Sequence, residues 1–168
     1  MQKGLALLEE VPVDAARFFF NLREPNSHFD FDLDLAVSEK NTNPIHYVQY
    51  AHARICSVLR NLGEEGIALR PVSAEEFGLL CQPTERELIL LLGGLTDEII
   101  TAAKTYDPAR LTHYVVEVAT RFHKFYDACR VKGSEESLMQ ARLHLCVATA
   151  TVLRNVLSLM KIEAPEKM

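Results

Sequence analysis

The pairs Asn43-Pro44 and Asp107-Pro108 limit what this chain can become more than any other feature of it. Each sets a short polar side chain, suited to accept from the free N–H groups of a first helical turn, ahead of a proline. The ring's fixed φ and missing N–H suit the first helical position and no strand interior. Apolar residues at helical spacing follow both prolines, so helices are predicted over 44–62, stopped by Gly63, and over 108–131, before Gly133.

The remaining segments read the same way. Residues 13–24 are apolar almost all round (Ala15, Ala16, Phe18, Phe19, Phe20, Leu22), a helix buried on most sides and ended by Pro25 and Asn26. Residues 29–35 alternate strictly, the period of a strand, but no comparable segment exists to pair with them. An extended strap leading into a short helix is therefore expected. The stretch 64–82, punctuated by glycine and proline, reads as a loop with one helical turn. Thr84 and Glu87 suggest a capping box opening a helix over 85–104, in which Gly93-Gly94 marks close packing or a kink. Ser134 is the expected cap of a last helix over 134–161. Short connections around the helix at Pro108 favour antiparallel neighbours, and the expectation is an all-α helical bundle.

Bulk properties narrow the function. The net charge of −5 excludes a protein that gains affinity by blanketing phosphates, so a nucleic-acid site has to be local. Glu24, Asp30, Asp32, Asp34 and Glu39 crowd one stretch, whereas 104–142 carries seven Lys or Arg against five acids. No apolar run approaches the ~20 residues that span a bilayer, and the start is too short and too acidic for a signal peptide, which predicts a cytoplasmic protein without membrane contact. Cys56, Cys81, Cys129 and Cys146 lie far apart and read as reduced core residues.

Enzyme signatures are missing: there is no glycine-rich phosphate loop, H-E-x-x-H helix or G-x-S-x-G elbow. The aspartates lack calcium-loop spacing and the six histidines form no ligand set, so no metal site is expected. The informative run is Asn43 to Arg54. Tyr47, Tyr50 and Arg54 fall on one helix face, where two rings and a guanidinium can stack on unpaired bases and meet a phosphate. The same spacing suits amphipathic core tyrosines with Arg54 against a carboxylate, and the pattern does not choose. Phe122 and Phe125 read as core. Tyr126, four residues before Arg130, reads equally as core or as a stacking platform.

VDAARFFFNLREPNSHFDFDLDLA followed by NPIHYVQYAHARICSVLR, together with FHKFYDACRV and the final APEKM, resembles the C-terminal region of bacterial arginyl-tRNA synthetases over nearly the whole chain. The resemblance implies a class I enzyme that joins arginine to its tRNA using ATP with Mg. It also implies that this part lacks the H-x-G-H and K-M-S-K-S type signatures and is catalytically inactive by itself, with no catalytic residue and no cofactor of its own. Residues 1–40 would be the tail of the catalytic region and the junction, and 41–168 the helical anticodon-binding domain. The implied partners are the anticodon stem-loop of arginine tRNA and the catalytic domain of the same chain, in a monomer. The implied tRNA-contacting positions are Tyr47, Tyr50, Arg54 and Tyr126, with Arg130 where other members carry an aromatic, and Met168, whose carboxylate lies near the anticodon loop in that family. The alternative is a stand-alone helical interaction or regulatory protein that no longer binds tRNA productively, and an independent enzyme is a third reading.

Two outcomes are expected from solution measurements. Far-UV circular dichroism shows a helical spectrum without a dominant strand component. Titration with calcium or magnesium in a calorimeter shows no site tighter than about 1 mM, the range of weak extracellular calcium modules; a tighter one returns the aspartate cluster to consideration as a ligand set.

Overall fold

The computed structural model describes residues 10–23 and 30–168, and every regular element among them is a helix. In chain order these are α1 (Val13–Asn21), α2 (Leu33–Ala36), α3 (Pro44–Glu64), α4 (Ala74–Phe77), α5 (Pro83–Gly93), α6 (Leu95–Thr105), α7 (Ala109–Ala128) and α8 (Glu136–Leu159). The long helices α3, α7 and α8 pack on one another, α5 lies against α7 and α8, α6 against α7, and α1 against α3 and α7. Phe18, Ile55, Leu88, Phe122, Phe125, Leu143, Leu153 and Leu157 fill the centre.

Asn43 does what its position predicts. Its side-chain oxygen accepts from Ile45 N (3.2 Å), while its amide donates to the carbonyls of Ser38 (2.8 Å) and Ala36 (3.3 Å), so one side chain starts α3 and fixes the approach to it. Asp107 likewise accepts from Ala109 N (3.1 Å). The strap before α3 ends in a short helix as expected, with Asp32 accepting from Leu35 N (2.9 Å) at the start of α2. The α4 turn closes on a capping box between Ser73 and Glu76.

Several boundaries move. α1 ends at Asn21, and Pro25 and Asn26 lie outside the described residues, as does Phe29. Phe20 is 58% exposed, against the reading of a helix buried on most sides, and its ring meets Phe31 at 5.6 Å. α3 runs through Gly63, and the turn is made at Gly66, where φ is +81° and a side chain would be strained. The capping box of α5 is Gln82 with Glu85, two residues before Thr84 and Glu87, because Pro83 takes the first helical position. The expected helix over 85–104 is two helices broken at Gly94; a Cβ on Gly93 would meet nothing within 4 Å, so the pair marks a break and not close packing. α7 stops at Ala128, where Cys129 turns extended (φ −121°, ψ 116°). Glu135, not Ser134, caps α8, accepting from Ser137 N and Leu138 N, while the Ser134 hydroxyl donates to Arg130 O and Val131 O. Of the cysteines, Cys129 and Cys146 are buried, Cys56 is half-buried and Cys81 is exposed. All four are free, and burial pushes the Cys146 thiol up to about 12.

One buried ion pair went unread in the sequence. Glu85 has no exposed surface, and its carboxylate accepts both from Arg142 Nε (2.7 Å) and from Gln82 N (2.8 Å). Arg142 also donates to Arg130 O (2.6 Å). Removing one member of a buried pair leaves the other charge uncompensated, typically at a cost of about 3–5 kcal/mol, whereas replacing both by apolar residues is often close to neutral. Arg142→Leu is therefore expected to lower the stability measured in urea by about 3–5 kcal/mol, and adding Glu85→Leu to recover part of that loss. A double variant as unstable as the sum of the two single ones contradicts this account.

Candidate functional site

The site forms where the α3 face bearing Tyr47, Tyr50 and Arg54 meets the end of α7. Helical periodicity puts the three α3 side chains on one side, as predicted, while Val48, Ala51 and Ile55 turn into the core. On α7, Phe122 and Phe125 are fully buried and anchor that helix, which leaves His123 and Tyr126 at the seam.

His123 joins the two helices. Its ring lies 4.9 Å from Tyr47, tilted, and 5.9 Å from Tyr50, with planes 23° apart, and it also meets Phe122 at 5.5 Å. Beside it the Arg54 guanidinium sits over the Tyr126 ring, 4.4 Å from the centroid, and Tyr126 in turn packs on Phe122 at 5.7 Å. The partner of Arg54 is thus a ring; among the described residues no carboxylate lies within ion-pair distance of it. A guanidinium over an aromatic face can still donate through its N–H groups, and the contact contributes about 0.5–1 kcal/mol at a partly exposed position. Tyr47, Arg54 and Tyr126 are half-buried and Tyr50 is 37% exposed. These side chains are therefore neither core nor free: their inner edges pack on the bundle and their outer edges face solvent.

Sequence reasoning missed His123, counted among histidines without a role. Its signal was available, since residues 123 and 126 are three apart and share a helical face. Burial, and after it the nearby Arg54 charge, holds its imidazole below the ordinary value of 6.5, with Asp127 opposing. Its Nε2 is buried with no hydrogen-bond partner.

Arg130 and Met168 are not brought into this cluster by the contacts that define it. Arg130 lies beyond the end of α7, so the i, i+4 relation to Tyr126 no longer applies; its side chain is exposed, and its carbonyl receives Arg142 and Ser134. Met168 is 59% exposed and lines a hollow with Pro12, Asp14, Val37, Asn43, His46 and Gln49, next to the α3 face that carries Tyr50. The tail leading to it is ordered by Ile162, 4% exposed, and by the Pro165 carbonyl, 2.9 Å from His52 Nδ1. No group of three or more His, Cys, Asp or Glu among the described residues is placed to hold a metal ion, and none of the described helices is long and apolar enough to cross a membrane.

Comparison with known proteins gives a consistent result. The family model described as the DALR anticodon binding domain matches residues 48–168. An arginine–tRNA ligase of Caldanaerobacter subterraneus is 52% identical over 162 residues, and one of Acetivibrio thermocellus is 54% identical over the same length; each alignment takes in 96% of this chain and 29% of the relative. The arginyl-tRNA synthetase of Thermus thermophilus superposes with a TM-score of 0.79 at 31% identity, covering 92% of this chain and 26% of that one. That of Plasmodium falciparum superposes with a TM-score of 0.80 at 27% identity, covering 97% and 28%. The chain thus spans about 29% of the length of the curated relatives it matches.

The environment of His123 sets a pH dependence. Its pKa is lower folded than unfolded, so below the ordinary value of 6.5 the unfolded chain binds the proton first. Stability is therefore expected to fall as pH drops from about 7 towards 5, and His123→Gln is expected to flatten that slope whatever it does to stability at pH 8. Equal slopes for the two proteins, measured by urea unfolding, place the titrating group elsewhere.

Proposed function

This chain belongs to the DALR anticodon-binding domain family, and from that premise we propose that it is the tRNA anticodon-binding region of an arginyl-tRNA synthetase. The observation that carries the proposal is the seam between α3 and α7, where Tyr47, Tyr50, His123, Tyr126 and Arg54 form one packed aromatic and cationic surface inside the matched family segment or one residue from it.

Such a surface suits single-stranded RNA. Unpaired loop bases expose π-faces and edges, and rings already held against a bundle offer stacking partners with little entropy left to lose. Arg54, over the Tyr126 ring, supplies a cation and N–H donors at the same place, for a phosphate or a base edge. The local character of the site fits the net charge of −5: affinity comes from a few oriented groups, with acids elsewhere repelling RNA from wrong orientations. Tyr47, Tyr50, Arg54 and Tyr126 are the proposed stacking and contact positions. Arg130 and Met168 are proposed as peripheral contacts, each reached only by RNA that extends past the seam.

In this reading the ligand is the anticodon stem-loop of arginine tRNA, and the parent is an ATP-dependent arginine–tRNA ligase acting in the cytoplasm as a monomer. Binding of ATP and Mg is assigned in this reading to the part of the relatives that the chain does not cover. By itself the chain binds and does not catalyse. Residues 1–40 are proposed as the junction to that other part, with 41–168 as the binding domain.

Filter binding or gel shift with arginine tRNA, and with the same tRNA carrying an altered anticodon, tests the reading. Tight binding of the first and weak binding of the second is expected. Base stacking on an aromatic is worth about 1–3 kcal/mol by alanine substitution, so Tyr126→Ala should weaken binding by roughly 5- to 150-fold with the helical spectrum retained. Equal binding of both tRNAs favours an interaction module that has lost anticodon reading, and a Tyr126→Ala protein that unfolds assigns the ring to the core alone.

A further inference from the structure

The chain's tail does not lie on the bundle alone. Asp14 Oδ2, from α1, accepts from Glu163 N (3.0 Å) and from Gln49 Nε2 (3.4 Å), and the same Gln49 amide donates to Glu163 O (3.0 Å). Arg17, one turn along α1, donates to Lys161 O (2.6 Å) at the residue where the chain leaves α8 with φ +57°. Further on, His52 meets Pro165 O and Arg60 donates to Glu166 O (3.2 Å). The tail is therefore a strap across α3, fastened on one side by Gln49, His52 and Arg60 of α3 and on the other by Asp14 and Arg17 of α1.

These residues interleave in sequence with the seam. Gln49 sits between Tyr47 and Tyr50, and His52 between Tyr50 and Arg54, so the strap grips the helix that carries the aromatic surface between Gln49 and Arg60. Asp14 and Arg17 lie outside the segment 48–168 matched by the family model. We propose that Asp14 and Arg17 are positioning residues for RNA binding: they clasp the tail against α3, and the rotation of α3 that this fixes sets how Tyr47, Tyr50 and Arg54 are presented. This rests on the seam being the RNA site.

The clasp makes the junction segment part of the binding unit. Asp14 touches no RNA in this account; it supplies an ionised acceptor shared by a backbone N–H and the Gln49 amide, and charge-assisted bonds of this kind are the stronger ones. Losing the acceptor leaves the Glu163 N–H and one bond of Gln49 unmet and loosens the start of the tail, while the buried core of α3, α7 and α8 remains.

The test uses the whole chain and three variants, Asp14→Ala, Asp14→Asn and Arg17→Ala, with arginine tRNA and its altered-anticodon counterpart as probes. Hydrogen exchange reads the Glu163 amide directly, and unfolding temperature reads the core. In Asp14→Ala the Glu163 amide is expected to exchange faster, binding to arginine tRNA to weaken on the order of ten-fold, and discrimination between the two tRNAs to shrink. Asp14→Asn keeps an acceptor oxygen and is expected to restore most of the affinity, which a general loss of stability would not explain. Arg17→Ala is expected to show a smaller effect in the same direction. Faster Glu163 exchange with unchanged tRNA binding and discrimination overturns the proposal while leaving the seam intact as the site. Wild-type chain that binds neither tRNA removes the functional reading, and the proposal falls with it.

Discussion

The carboxylate of Glu85 is the point on which this bundle turns. It closes the first turn of α5 through Gln82 N, neutralises Arg142 in the second turn of α8, and through Arg142 reaches the Arg130 carbonyl where α7 has just ended. Three helices and the α7–α8 connection are thereby fixed by one ionised group with no exposed surface. A carboxylate desolvated to that degree is tolerable only because its charge is met by a guanidinium and a backbone N–H, and so the geometry admits little slack. The end of α7 is held in place by it, and with that end the seam at which His123 and Tyr126 stand.

A second polar system fixes the loop between α3 and α5. Gln140 on α8 donates to Ala68 O (3.0 Å) and accepts from Arg70 N (3.2 Å), and His144, one turn on, meets Arg70 O at 2.7 Å. Arg70 completes the arrangement with a bidentate pair to Glu76, whose carboxyl is held down at about 2 by that contact and by Ser73 N. The loop is thus tied to α8 by side chains in place of a partner strand, which gives the carbonyls of Ala68 and Arg70 and the Arg70 N–H their partners without any sheet.

What the sequence disclosed and what it withheld divide along a physical line. Signals that act within four residues were legible: Asn43-Pro44 and Asp107-Pro108 start helices as written, the Tyr47–Tyr50–Arg54 stripe shares a face, and the alternating aspartates resolve into a strap with Asp32 as a cap. Where two residues competed for one local role, register slipped, as with Gln82 against Thr84 and Glu135 against Ser134. Partners 57 to 149 positions away could not be read at all. Nothing near Glu85 points to Arg142, and nothing near Arg54 points to a ring on α7; the face that His123 shares with Tyr126 was legible, but its contacts with Tyr47 and Tyr50 were not. The seam was half visible: its α3 side follows from spacing, its α7 side from packing.

The contact of Asp14 with Glu163 spans 149 positions, and this separation bears on the order in which the molecule assembles. Local helices and their near neighbours gain their contacts early, whereas a pairing at such distance can form only after α3 and α8 have docked and brought both ends of the path to one place. So wide a separation favours formation of the clasp late in folding. If it forms after the barrier, weakening it is expected to raise the rate of opening more than it slows folding. The lifetime of the closed strap is in this way separable from how fast the bundle is made, and it is the property of the tail on which selection can act without disturbing the core.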